Sequence, residues 1–126
     1  MRYVAWFSEI SARDVKIAGG KGANLGEMFR KGFPVPEGFV VLARAYFDFL
    51  KANKIDQVIK KELEGLAVED TKKLNQASAK IQKAILKSKI PAKIKDEIAK
   101  NYQKLVKKGA KFVAVRSSAT AEDLPS

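Results

Sequence analysis

Two short stretches hold the residues whose types and spacing could do chemistry. In "AGGKGANLGEM", Lys21 stands between Gly20 and Gly22; in "VAVRSSATAEDLPS", Arg116 closes an apolar run and precedes Ser117, Ser118 and Thr120. Glycines at 19, 20 and 22 permit φ above zero and close approach of backbone, and a helix starting just after them offers N–H groups and a positive dipole end. With the mobile charge of Lys21 added, that combination suits a polyphosphate. At Arg116, a planar guanidinium beside hydroxyls can grip phosphate through two parallel hydrogen bonds. Each stretch also has a plain structural reading. The glycines can serve only as a strand-to-helix turn with Lys21 in solvent, and Arg116 can pair with Glu122 or Asp123.

Spacing excludes the named glycine motifs. A Walker A loop needs glycine where Val15 stands and Ser or Thr where Gly22 stands, and the dinucleotide fingerprint needs glycine where Leu25 stands, with Gly26 one position late. Glu122 and Asp123 are two adjacent carboxylates, a pattern that suits capping or solvation better than Mg²⁺ binding. The chain has no cysteine and no histidine, which removes thiolate ligands, thiol catalysis, imidazole bases and any phosphohistidine. Its chemistry falls to Lys, Arg, carboxylates, hydroxyls and backbone.

A formal charge of +11 and a pI near 9.9 point to an anionic partner. Most of the excess lies between Lys51 and Lys111, as lysine with almost no arginine, which reads as solvated helix faces rather than as forked phosphate readers. No nucleic-acid motif is present and no aromatics interleave the polar faces, which argues against a nucleic-acid partner. No apolar run has the roughly 20 residues of a membrane span, and the opening "MRYVAWFSEIS" lacks a signal-peptide core. The expectation is a cytoplasmic chain with no membrane partner.

These residues need elements to hold them. Tyr3, Ala5 and Phe7 alternate with Val4, Trp6 and Ser8, which predicts a first strand, followed by a turn over Glu9 to Asp14. Leu25, Met28 and Phe29 share one side of a short helix predicted over Ala23 to Lys31, with Gly32 as its stop. Pro34 and Pro36 keep the chain extended into a second strand, Phe39 to Leu42. From Ala43 the period becomes helical. Tyr46, Phe47, Phe49 and Leu50 mark one helix, and Ile55 to Leu66 a second. Asp70 is the expected N-cap of a third, and Pro91 opens a fourth that Gly109 ends. "KFVAVRSS" predicts a third strand, Phe112 to Arg116. The fold class is therefore α/β (α+β), a small mixed sheet with several helices, and residues 1–126 read as a single partial domain with a helical excursion at about 43–109.

Taken in order, "GGKGANLGEM", "GFPVPEGFVV", a helical stretch and "VAVRSSATAEDLPS" resemble the start of the phosphoenolpyruvate synthase (pyruvate, water dikinase) family over the whole chain. Pyruvate, phosphate dikinase and rifampicin phosphotransferase are related alternatives. The resemblance implies the N-terminal portion of an ATP-grasp nucleotide-binding domain. Lys21 and Arg116 match its ATP-phosphate contacts, with Gly20, Gly22 and Ser117 as weaker candidates. It implies ATP and Mg²⁺ as cofactors, the metal ligands lying elsewhere, and no catalytic or metal residue in this segment. The implied reaction is ATP, pyruvate and water giving AMP, phosphoenolpyruvate and phosphate through a phosphohistidine. The partners implied are ATP and the remaining ATP-grasp, phosphohistidine and pyruvate-binding domains. A fragment of this kind is expected to be inactive alone and to self-associate through apolar surface that the missing parts would cover.

Overall fold

The computed structural model describes residues 2–120. Their contacts group into two compact units, one formed within residues 1–46 and 92–126 and the other by Phe47–Pro91. In the first unit, strand β1 (Val4–Trp6) pairs antiparallel with β2 (Phe39–Val41), with Val4 opposite Val41, Ala5 opposite Val40 and Trp6 opposite Phe39. Ala5, Ile10, Ala18 and Val40 form the core against this pair, flanked by Phe7 and Leu42. Ile10 is fully buried, a burial that contributes about 2–3 kcal/mol relative to an exposed side chain.

Between the strands, the turn predicted over Glu9 to Asp14 resolves into two short 3-10 segments, Phe7–Glu9 and Ala12–Asp14. Ser11 and Asp14 cap the second reciprocally: the Arg13 N–H donates to the Ser11 hydroxyl at 3.3 Å and the Ser11 N–H to the Asp14 carboxylate at 2.9 Å. Helix α1 (Val15–Arg30) follows and is broken once, at Gly19, with φ 80° and ψ 165°. Its longer piece therefore begins at Gly20 rather than at Ala23. Gly20 and Gly22 lie inside the helix, and only Gly19 makes the sharp turn that spacing assigned to the whole glycine run. The end at Gly32 is as predicted. Gly32 takes φ 86°, its N–H donates to the Phe29 carbonyl at 3.2 Å and the Phe33 N–H to the Met28 carbonyl at 3.1 Å, a Schellman closure.

Helix α5 (Ala92–Lys107) packs on β1. The Tyr3 and Val4 N–H groups donate to the Glu97 carboxylate at 2.5 and 2.7 Å, and the Trp6 indole N–H donates to the Asn101 side-chain carbonyl at 2.8 Å. Glu97 thus accepts from two backbone donors at the start of β1, groups that cost stability when left unsatisfied. Lys108 lies 4.9 Å from the Trp6 ring centre and pairs with Glu37 at 3.5 Å. Gly109, at φ 106°, ends α5 as expected, its N–H bonded to the Val106 carbonyl at 3.0 Å.

Helix α2 (Ala43–Ala52) carries the chain from the first unit into the second, where α3 (Ile55–Leu63) and α4 (Thr71–Lys87) pack together. Ile55 is fully buried, Leu50 and Ala77 are buried, and Leu74, Ile81 and Ile85 are partly buried along the predicted α4 stripe. The stripe predicted for α2 is narrower than expected, because Tyr46 and Phe47 are exposed. Asp70 caps α4 as its position suggested, accepting from the Lys73 N–H at 3.1 Å. Lys72, Lys73, Lys80, Lys83 and Lys87 are all exposed.

The third predicted strand does not form. Phe112–Arg116 has no strand ladder among the described residues, and Phe112 and Val115 stand 94% and 91% exposed. Valine and phenylalanine raise β propensity only where a neighbouring strand supplies ladder bonds and a packed face, and the described residues supply no such strand to this segment.

Candidate functional site

The two chemistry-bearing stretches, nearly a hundred residues apart in sequence, meet at the break in α1. The Ser118 hydroxyl donates to the Ala18 carbonyl at 2.7 Å and accepts from the Gly22 N–H at 2.9 Å. One residue on, the Ala119 carbonyl accepts from the Gly20 N–H at 3.0 Å. The start of a helix leaves its first N–H groups without intrahelical partners, and a glycine at the cap has no side chain to satisfy them. Ser118 and Ala119 supply those partners from the other end of the chain. The first-turn amides of Gly20 and Gly22, the weaker phosphate candidates that accompany the resemblance, are engaged in holding this segment.

The glycines are required here for close packing as much as for turning. A Cβ on Gly19 would lie 2.4 Å from the Ser118 Oγ and 2.6 Å from its carbonyl carbon, in addition to the strain of φ 80°. A Cβ on Gly22 would meet the two Val40 methyls at 3.0 and 3.1 Å and the Ser118 Oγ at 3.2 Å, and one on Gly26 would meet the Ile10 carbonyl oxygen at 2.7 Å. One face of α1 is thus pared down so that β2, Ile10 and the Ser118 segment can approach its backbone.

Lys21 is half-buried and sits between the two clasped residues, Gly20 and Gly22, in the first turn of the longer piece of α1. Arg116 is exposed. Standing two residues before Ser118, its Cα lies within roughly 7 Å of the Ser118 Cα by chain geometry. The fold therefore brings together the segments that carry Lys21 and Arg116, at a helix start whose dipole is positive. Ser117 is exposed; the hydroxyl that bridges the segments belongs to Ser118, which sequence reading passed over. The signal for it was a helix starting on glycine, which needs a capping oxygen from elsewhere. Glu122 and Asp123, the alternative partners for Arg116, lie outside the described residues. Among the described residues, no group of three or more Asp or Glu side chains is arranged to hold a metal ion.

Two carboxylates of the first unit are perturbed. Glu27 of α1 accepts from the Ala12 N–H at 3.0 Å and pairs with Lys31 at 3.5 Å; that backbone hydrogen bond above all, then the lysine, holds its carboxyl below the usual carboxylate range. Glu9, hydrogen-bonded to Arg2 and to the Trp6 N–H, is lowered in the same sense, the Arg2 bond contributing most. Both keep their charge and fix the turns leading into α1.

The chain that carries this arrangement is similar to known proteins. A family model described as pyruvate phosphate dikinase, AMP/ATP-binding domain, matches residues 15–126. The chain is 47% identical to a probable phosphoenolpyruvate synthase of Methanothermobacter thermautotrophicus, over 99% of this chain and 19% of that protein. It is 48% identical to one of Methanocaldococcus jannaschii, over 99% of this chain and 11% of that protein. It is 43% identical to a phosphoenolpyruvate synthase of Aquifex aeolicus, over 97% of this chain and 15% of that protein. The chain spans about a fifth or less of the length of these curated relatives. With a match that runs from the first residue of α1 through the Arg116 segment, the chain belongs to the pyruvate phosphate dikinase AMP/ATP-binding domain family.

Proposed function

We propose that this chain supplies part of the ATP site of a cytoplasmic phosphoenolpyruvate synthase of the ATP-grasp type, with Lys21 and Arg116 on the ATP phosphates. The observation that carries the reading is the Ser118–Ala119 clasp on Gly20 and Gly22, which holds the two cationic segments side by side. Lys21 acts as a mobile point charge and Arg116 as a planar fork, both backed by the positive end of α1. Phosphoryl transfer spreads negative charge over the phosphate oxygens, and fixed cations there stabilise it without reorganising. In the proposed whole reaction, ATP, pyruvate and water give AMP, phosphoenolpyruvate and phosphate by way of a phosphohistidine. This chain has no histidine, so the carrier belongs to another part of the enzyme. The described residues offer no carboxylate set for Mg²⁺, whose ligands we assign elsewhere in the enzyme. The names of the relatives favour pyruvate over rifampicin as the acceptor.

Calorimetric titration with Mg-ATP tests the reading. Removing a charge-assisted phosphate contact costs about 1.5–3 kcal/mol, so Lys21→Ala and Arg116→Ala should each weaken binding by roughly 10- to 100-fold. Equal affinity in wild type and both variants would refute it. Pyruvate-dependent AMP formation should be absent from this chain alone.

A further inference from the structure

We infer that Ser118 is a positioning residue for nucleotide binding, whose single hydroxyl sets Arg116 against Lys21. This inference rests on the reading of those two residues as phosphate contacts. Ala18 and Gly22 flank the break at Gly19, and the Ser118 Oγ bonds to both, donating to the first and accepting from the second. A single atom thereby fixes the geometry of the break, and with the Ala119 carbonyl on Gly20 it holds the backbone on either side of Lys21. The same contact anchors the exposed Arg116 segment, for which no strand ladder is present.

The chemistry of the contact is selective. It needs a donor and an acceptor on one short side-chain atom, which a hydroxyl provides and a methyl does not; a thiol makes both bonds weakly. It also needs the missing Cβ of Gly19, whose place lies 2.4 Å from the Ser118 Oγ. Gly19 and Ser118 are thus two halves of one fitting. Lys21 and Arg116 would touch the nucleotide, and Ser118 acts through them.

A double-mutant cycle on Mg-ATP affinity, with thermal melting to monitor the fold, tests this. Ser118→Ala should weaken ATP about tenfold, the scale of two lost hydrogen bonds that each contribute about 0.5–1.5 kcal/mol. Ser118→Thr, which keeps the hydroxyl, should stay within about threefold of wild type by the same argument. In an Arg116→Ala background, Ser118→Ala should cause a clearly smaller loss than in wild type, only the part that acts through Lys21. A merely structural serine would cost the same factor with and without Arg116, and that result overturns the inference. Should Ser118→Ala fail to fold, Ser118→Cys, a slightly larger near-isostere, weakens both bonds and completes the same cycle. If Lys21→Ala and Arg116→Ala weaken ATP while no Ser118 variant does, the inference falls and the phosphate reading stands. If wild type binds Mg-ATP and no variant, Lys21→Ala and Arg116→Ala included, binds it more weakly, both fall.

Discussion

Glu27 of α1 is partly exposed, and its carboxylate takes the Ala12 N–H and a lysine, both of which favour the charged form. Because its folded value lies below the unfolded one, the stabilisation is fully present above the unfolded value and is lost as pH falls through the folded value; Glu9 behaves alike. Acid unfolding monitored by circular dichroism should therefore steepen below about pH 4.5, and Glu27→Gln should flatten that limb while being less stable near neutrality. An unchanged acid limb would contradict the assignment. Lys21 and Arg116 stood out at this scale by residue type and neighbours, which left a plain structural reading open for each; the phosphate role proposed for them came from the family resemblance. Ser118 did not stand out, since a hydroxyl among several in "RSSAT" gains its role only from a helix start a hundred residues away.

Among elements, α1 shows where local rules stop. Helix propensity says that glycine to alanine inside a helix stabilises by about 1 kcal/mol. At Gly26 the added methyl would meet the Ile10 carbonyl oxygen at 2.7 Å and the Ile10 Cβ at 2.8 Å, both in the buried core. Gly26→Ala should thus destabilise by about 1–3 kcal/mol in urea titration, the cost of overpacking, against the sign propensity gives. A gain in stability would show that α1 does not lie against Ile10 as described. The helix ends at Gly32 and Gly109 and the cap at Asp70 were readable because caps are local chemistry. The start of the longer piece of α1 was displaced from Ala23 to Gly20 because a partner in space, not the glycine run, decides where its first turn closes. The strand predicted over Phe112 to Arg116 failed for the same reason, having apolar alternation but no neighbour to pair with.

For the whole chain, the exposed Phe112 and Val115 predict self-association, since burial of such side chains against a second surface removes apolar area from water. Light scattering should show an average mass that rises with protein concentration, and a clean monomer throughout would contradict this. That behaviour belongs to a chain covering about a fifth or less of its relatives and is separate from its role in nucleotide binding. The central claim is that the clasp places Lys21 and Arg116 on one phosphate chain. A crystal structure of this chain with Mg-ATP or a non-hydrolysable analogue tests it most directly. The account predicts the Lys21 Nζ and the Arg116 guanidinium both within hydrogen-bond distance of phosphate oxygens, with the Ser118 hydroxyl still bridging Ala18 and Gly22. Nucleotide bound away from either cation, or the two side chains directed to opposite faces of the clasp, would contradict it.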